Sequence, residues 1–372
     1  MNDQNSILDK IITSKQTEDV SQFNPQDKVS SFLKLVSDKE GDILRRRYGL
    51  NGKREETLEE IGGIYGVTRE RIRQVENLTL QKIKQAKEFN GLIQTVEGII
   101  SSFLHQHGGI MEEEYLFWKI LSFCGDSEIN RKSLSFILTR LLSDKFKKIK
   151  SDTIKPSWLL KSQNLDLLNK THEALQKIFE NENKPLGQDE ILAKFKLTEI
   201  YKAESQWLKD EVVISYLKTF AKVSSNPFDE YGLISWGSIT PKRINDKIYL
   251  ILKKNGQPMH FTKIAEMVNK ASFDDKKAYP PTVHNELILN DRYVLVGRGI
   301  YALKEWGYKP GVVIDVLTEI LKSESRPLTR DEVIKKVMEK RMVKKNTILL
   351  ALTNKERFKK LTDGTYTLNN PQ

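Results

Sequence analysis

The sequence has almost no cysteine: Cys124 is the single one in 372 residues. One thiol cannot close an intramolecular disulfide, and it cannot supply a cysteine-based zinc site or an iron–sulfur cluster. The expected setting is reducing: cytoplasmic and nucleoid-associated. Long apolar runs are also missing. The longest stretch without Asp, Glu, Lys or Arg runs from Gly98 to Met111 and holds Ser, Gln and His. That is short of the roughly 18 apolar residues of a membrane span. Near the N-terminus Ile7, Leu8, Ile11 and Ile12 form a short helical stripe in place of a signal-peptide core. No membrane partner is expected.

Catalytic signatures are lacking as well. There is no nucleophile elbow and no His-Glu-x-x-His, and no Gly-Lys-Ser/Thr follows Gly297-Arg-Gly299. His105 and His107 stand near Glu112–Glu114 without a third ligand set at recognisable spacing, which reads as a polar helix end. The expectation is a protein that is no enzyme, with no metal, no cofactor and no small-molecule substrate.

Charge is what the chain has in quantity. Charged residues make up 30% and hydrophobic residues 38%, a globular balance. The 61 Lys and Arg outnumber the 50 Asp and Glu, leaving a net charge of +11. Such a surplus favours an anionic partner, nucleic acid first. Residues 1–25 are rich in Asn, Asp, Gln, Ser and Thr and end at Pro25, as a flexible N-terminal arm would.

Beyond residue 90 the chain repeats itself. Four segments align at helix-to-turn junctions: Gly109–Leu116, Pro185–Leu192, Pro258–Ala265 and Pro327–Ile334, their starts 76, 73 and 69 residues apart. Each follows an amphipathic stretch (Ile99–Leu104, Ala174–Phe179, Ile248–Leu252 and Val316–Leu321) and precedes another, such as Ser133–Leu142 or Thr347–Leu352. The last two units close with strand pairs, Tyr293–Val296 with Ile300–Leu303 and Phe358–Leu361 with Tyr366–Leu368. In the second, Tyr231–Trp236 is the best candidate for the last strand, and in the first the wing is poorly marked. Helices followed by a hairpin describe a winged helix, so the reading is mainly α, with about four tandem winged-helix modules. The expected boundaries are 26–90 for a helix-turn-helix, then modules at 91–162, 163–238, 239–308 and 309–372.

The sharpest signal lies at residues 57–77. Thr57 and Glu60 form a capping box that starts a first helix. Gly62 is small where helices approach, and Gly66 suits a left-handed turn residue. Thr68 then caps a second helix. Ile61, Val67, Ile72 and Val75 are expected on buried faces, which leaves Arg69, Glu70, Arg73, Gln74 and Asn77 on one outward arc. Arg pairs with guanine, Gln with adenine, and Glu accepts from cytosine in a major groove. Arg71 and the first helix's N-terminus suit phosphate.

These residues carry a resemblance. Lys39-Glu-Gly-Asp-Ile-Leu-Arg-Arg-Arg-Tyr-Gly-Leu50, Thr57-Leu-Glu-Glu-Ile-Gly and Val67-Thr-Arg-Glu-Arg-Ile-Arg-Gln-Val-Glu76 are similar to region 4 of sigma-70 family factors, over about residues 28–87. The resemblance implies docking on a promoter −35 element of double-stranded DNA and on the β flap of core RNA polymerase. It implies base contacts from Arg69, Glu70, Arg73 and Gln74, and backbone contacts from Lys39, Thr57 and Leu58, beside Thr68 and Arg71 from the helix geometry. Gly63-Ile64-Tyr65 departs from the family, where a more polar stretch is usual. Only 37 residues precede Asp38, with Phe23 and Phe32 their only aromatics, so no promoter-melting region and no stand-alone housekeeping sigma factor is expected.

The third module resembles the HARE-HTH winged helix through Gln257–Glu266 and Asn290–Trp306, over about residues 241–308. That module occurs in the δ subunit of Gram-positive RNA polymerase and beside some restriction enzymes; the fourth module is a more distant relative. Residues 309–372 hold 14 Lys or Arg against 8 Asp or Glu. Lys335, Lys336, Lys340, Arg341, Lys344 and Lys345 form a candidate second DNA-contacting patch. Trp236 and Trp306 end their modules and read as packing residues. The expected function is a sequence-specific transcription factor reading a −35-like element. Its rivals are a polymerase accessory protein and the DNA-sensing partner of a restriction or defence system.

Overall fold

The computed structural model describes residues 23–308, 313–324, 326–340 and 345–369. Of the expected N-terminal arm, residues 1–22 lie outside them. Contacts divide the chain after Ser224 into two compact units. Among the described residues are seventeen α-helices and a set of short strands. No helix there is long and apolar enough to cross a membrane.

The first unit opens with α1 (Pro25–Leu33), capped by the Asn24 side chain. A Ser37–Glu40 capping box starts α2 (Asp38–Arg47). Next come α3 (Leu58–Tyr65) and α4 (Arg69–Gln85), the predicted helix-turn-helix, and then α5 (Phe89–Gln106). Because α5 begins at Phe89, the expected boundary between 90 and 91 falls inside a helix. Then follow β1 (Ile110–Glu112), α6 (Glu113–Leu121), α7 (Glu128–Phe136) and a π-helical turn (Ile137–Leu141). Strands β2 (Phe146–Ile149) and β3 (Ser157–Leu160) complete a three-stranded antiparallel sheet of order β1-β3-β2. Met111 faces Trp158 across one pair, and Lys148 faces Trp158 across the other. The first module therefore has a full wing where the sequence marked it poorly.

The second module repeats the plan with α8 (Asp166–Glu182), β4 (Leu186–Gly187), α9 (Gln188–Phe195), a short α10 (Glu199–Glu204), α11 (Asp210–Thr219) and β5 (Val223–Ser225).

Two cores hold the N-terminal half of this unit. A large one joins Phe32, Leu33 and Leu44 to Leu134, Phe136, Leu138 and Trp158, so the helix-turn-helix region and the first winged-helix-like module share one interior. A small one at the helix-turn-helix tip has three fully buried side chains, Ile43, Ile61 and Ile72, ringed by Leu58, Tyr65 and Val75.

The last helix of each winged-helix-like module here is enclosed. Every residue of α7 from Ile129 on is buried or half-buried. On α11 only Glu211 is exposed, and Val212 through Leu217 are all buried. The Ser215 hydroxyl donates to the Ile110 carbonyl at 2.9 Å, and the Tyr216 hydroxyl to the Gly108 carbonyl at 2.9 Å. Gly108 has φ +77°, and a Cβ there would meet Val212 and Tyr216 below 3 Å. Glycine is what lets α11 seat against it. His172 on α8 donates from Nε2 to the Tyr216 carbonyl at 2.9 Å and stacks on Phe220 at 4.4 Å between ring centroids.

The second unit carries β6 (Glu230–Leu233), α12 (Ile244–Asn255), β7 (Met259–His260), α13 (Phe261–Ala271), α14 (Pro280–Leu289), β8 (Tyr293–Gly297) and β9 (Ile300–Leu303). The sheet order β7-β9-β8 is that of the first module, with a bulge between Leu295 and Gly297. Trp306 packs against its core, as expected. After it come α15 (Val313–Ser323), α16 (Arg330–Lys340), α17 (Lys345–Leu352) and the hairpin β10 (Phe358–Lys360) with β11 (Tyr366–Leu368). The chain is thus mainly α, a helix-turn-helix followed by winged-helix-like modules.

Candidate nucleic-acid interface

The helix-turn-helix is assembled by its caps. Thr57 Oγ1 accepts from the Glu60 amide at 3.2 Å, and Glu60 Oε2 accepts from the Thr57 amide at 2.7 Å. The Arg54 guanidinium, then the Thr57 amide and hydroxyl, hold the Glu60 carboxyl down at about 2. Helix α3 stops at Gly66, left-handed at φ 66°, and Thr68 Oγ1 accepts from the Arg71 amide at 3.3 Å to start α4.

Two details of the turn correct the sequence reading. A Cβ on Gly62 would come within 2.6 Å of the Val67 carbonyl oxygen. The closest approach is by the turn's own backbone, with the amide of Arg69 at the start of α4 next at 3.5 Å. Val67, expected in the core, is 39% exposed. Its main chain does the packing: its amide donates to the Gly62 carbonyl at 3.0 Å, and the side chain turns outward.

On α4, Ile72 is buried and Val75 half-buried, while Arg69, Glu70, Arg71, Arg73, Gln74 and Asn77 are all exposed. The predicted base-reading set therefore stands together on one solvent face. Arg73 and Glu70 form a two-pronged ion pair, Nε to Oε2 at 2.9 Å and Nη2 to Oε1 at 2.7 Å. That pairing lowers the Glu70 carboxyl below its usual range and raises the Arg73 guanidinium. Arg71 Nη1 donates to Gln74 Oε1 at 3.2 Å. Both pairs are solvent-facing, so their partners are readily exchanged for base edges or phosphates.

The backbone-contact candidates are placed unequally. Lys39 is exposed, its ammonium 5.2 Å from the Tyr65 ring centroid. Thr57 and Thr68 are exposed at helix starts with their hydroxyls in capping bonds. Leu58 packs into the small core, so what it can offer phosphate is its amide at the start of α3. Tyr65, in the departure noted above, donates its hydroxyl to Asp42 Oδ2 at 2.6 Å, which ties α3 to α2.

Sequence reasoning missed the buried side of α4. Glu76 is 5% exposed and accepts a hydrogen bond from the Tyr48 hydroxyl. Burial, then Glu76, pushes that hydroxyl far above its ordinary range, so it stays a donor. Arg47 Nε and Arg140 Nη2 lie 3.8 and 3.7 Å from the same carboxylate. Helical spacing sets Glu76 three residues after Arg73, at the edge of the outward arc, so periodicity carried no sign of its burial. Nothing local in the sequence pointed to Arg140.

The second patch is described only in part. Lys335 is exposed on α16 and Lys345 at the start of α17, while Lys340 is half-buried. Lys336 pairs with Glu324 at 2.6 Å. Arg341 and Lys344 lie outside the described residues. Helix α14, the third helix of its module, has no Lys or Arg between Pro280 and Leu289, and Ile288 and Leu289 are 60% and 81% exposed. Among the described residues no group of three His, Cys, Asp or Glu side chains is placed to hold a metal ion.

Residues 32–85 match the family described as Sigma-70, region 4. Over 70 residues the chain is 43% identical to the RNA polymerase sigma factor SigA of Listeria monocytogenes serovar 1/2a, covering 17% of this chain and 19% of that protein. It is 46% identical over 67 residues to SigA of Microcystis aeruginosa, covering 18% and 16%. The same figures hold for SigA of Synechocystis sp.. The chain thus spans less than a fifth of the length of these curated relatives. The matched segment holds α2, α3 and α4 whole, so the helix-turn-helix with the outward arginine arc is the part of the chain that is similar in sequence to sigma-70 region 4.

Proposed function

We propose that this protein is a sequence-specific DNA-binding transcription factor whose α4 reads a −35-like promoter element. The observation that carries the reading is the single exposed arc of Arg69, Glu70, Arg73, Gln74 and Asn77, held on a doubly capped helix-turn-helix. Base contact falls to Arg69, Glu70, Arg73 and Gln74. Phosphate contact falls to Lys39, Arg71, the hydroxyls of Thr57 and Thr68, and the Leu58 amide. Contact with RNA polymerase is the second part of the proposal, supported by the similarity to sigma factors. No catalytic step and no cofactor enters it.

The test is fluorescence anisotropy against a duplex carrying a TTGACA-like element and against its scrambled twin, over a salt series. A preference for the matched duplex at physiological salt is the expected result. Arg73→Ala then loses about tenfold to a hundredfold in matched affinity and little on the scrambled duplex, as one bidentate base contact carries about 1–3 kcal/mol of discrimination. Equal, salt-labile binding to both duplexes sinks the proposal.

One observation favours a second reading, a polymerase accessory protein with little DNA specificity. Helices α7 and α11 are enclosed, and α14 offers apolar Ile288 and Leu289 to solvent, a surface suited to protein more than to phosphate. Retention of core polymerase by the immobilised protein, together with equal binding to both duplexes, would move this reading to first place.

A further inference from the structure

The buried side of the reader helix is gripped by the module next to it. Of the groups around Glu76, Tyr48 and Arg47 belong to the end of α2, within the matched segment, whereas Arg140 comes from the π turn of the first winged-helix-like module. The Arg140 guanidinium also lies 5.2 Å from the Tyr48 ring centroid, and that ring packs 4.9 Å from Phe136. A second grip holds the loop ahead of α3: Lys132 on α7 donates from Nζ to the Lys53 carbonyl at 2.9 Å. That loop passes Gly49, whose φ of +62° and bare Cα leave room for both Lys53 and Lys132.

Arg140 is carried on a π turn. A π turn is a local widening of a helix, rare and often found where a side chain must be redirected. Here Ile137, Leu138 and Leu141 remain in the core while Arg140 points at Glu76. The chemistry asks for that cation. A carboxylate this buried is costly unless charges and hydrogen bonds surround it. Without Arg140 its cationic neighbour would be Arg47, whose Nε is itself buried without a hydrogen-bond partner among the described residues.

We infer that the first winged-helix-like module is a buttress for the reader helix, and that Arg140 is a positioning residue, fixing the pose of α4 on DNA through Glu76 without touching a base. The inference rests on the proposed reading of DNA by α4.

The experiment uses the full chain as wild type, Arg140→Ala and Arg140→Lys. Amide hydrogen exchange of α4 is followed without DNA, and anisotropy is measured on the matched and scrambled duplexes. Arg140 is 43% exposed and outside the apolar cores, so the alanine variant should fold, which thermal unfolding checks. Arg140→Ala should speed α4 exchange about tenfold and lower matched affinity three- to tenfold with scrambled binding unchanged. Arg140→Lys should restore most of both. An equal loss on both duplexes with the salt slope reduced by about one would make Arg140 a phosphate contact and overturn the inference. Unchanged α4 exchange in Arg140→Ala would overturn it as well. Should wild type itself not prefer the matched duplex, the proposed function fails, and the exchange measurement still decides whether the buttress exists.

Discussion

Helices α4 and α11 each close a helix-turn-helix, and the protein uses them in opposite ways. On α4 apolar residues occupy one side, Ile72 and Val75, and Arg69, Glu70, Arg73, Gln74 and Asn77 occupy the other. On α11 Val212, Val213, Ile214, Tyr216 and Leu217 cover the helix nearly all round, and it is enclosed. A helix with a polar face turns that face to solvent or a partner, whereas one apolar on every side belongs inside. One motif therefore keeps a polar face outward, and the other is spent on contacts within the chain. The order of helices and strands identifies a winged-helix-like module, and the side chains on its last helix decide which surface it offers a partner.

The contrast can be broken most severely at Leu217, which is wholly buried. Leu217→Ala should lower the unfolding free energy by about 2–5 kcal/mol in urea titration. Arg69→Ala on the exposed face of α4 should stay within about 0.5 kcal/mol. Equal effects at the two positions would undo the distinction.

A pH titration comes next. Burial pulls the His172 imidazole down to about 4, against the weaker upward pull of its hydrogen bond to the Tyr216 carbonyl. The fold favours the neutral ring, so its contribution is complete above the unfolded value near 6.5. It fades as pH falls from there towards 4. The loss at the acid end is about 3 kcal/mol. Urea midpoints between pH 7 and 4 should show the fall, with a flatter curve for His172→Asn. No such burial-driven change is expected of α4's outward arc.

The smallest effect sharpens the comparison at the start of α4. Thr68→Ala removes the hydroxyl that accepts the Arg71 amide and should weaken the helix by about 1 kcal/mol. Thermal unfolding would read the loss, and amide exchange should confine it to the first turn.

Much of the reader was legible in the chain because it is local. Thr57, Glu60, Gly66 and Thr68 act on residues no more than five positions away, so their spacing carries the turn and both caps. The repeat was legible for the same reason, since each helix-to-strand junction carries its own Pro or Gly signal. What stayed hidden acts at a distance. Ser215 meets Ile110 and Tyr216 meets Gly108 more than a hundred residues apart, and Arg140 reaches Glu76 from a π turn in the next module. Helical periodicity assumes an unbroken pitch, so it has no means of placing a side chain carried on such a turn. Val67 was misread because a turn residue can pack through its main chain and leave its apolar side chain in solvent.

The ion pair between Glu70 and Arg73 has a consequence for how such a helix would search a genome. Before any DNA arrives, the guanidinium already holds a two-pronged acceptor of its own. Guanine's O6 and N7 offer the same two-pronged geometry and can replace it. A base pair without that acceptor pair gives no replacement, and the ring between the two side chains simply stays closed. On the proposed reading the protein would carry its own competitor for each site, an exposed ion pair that guanine replaces most fully, so a sequence without that acceptor pair would be disfavoured without a clash.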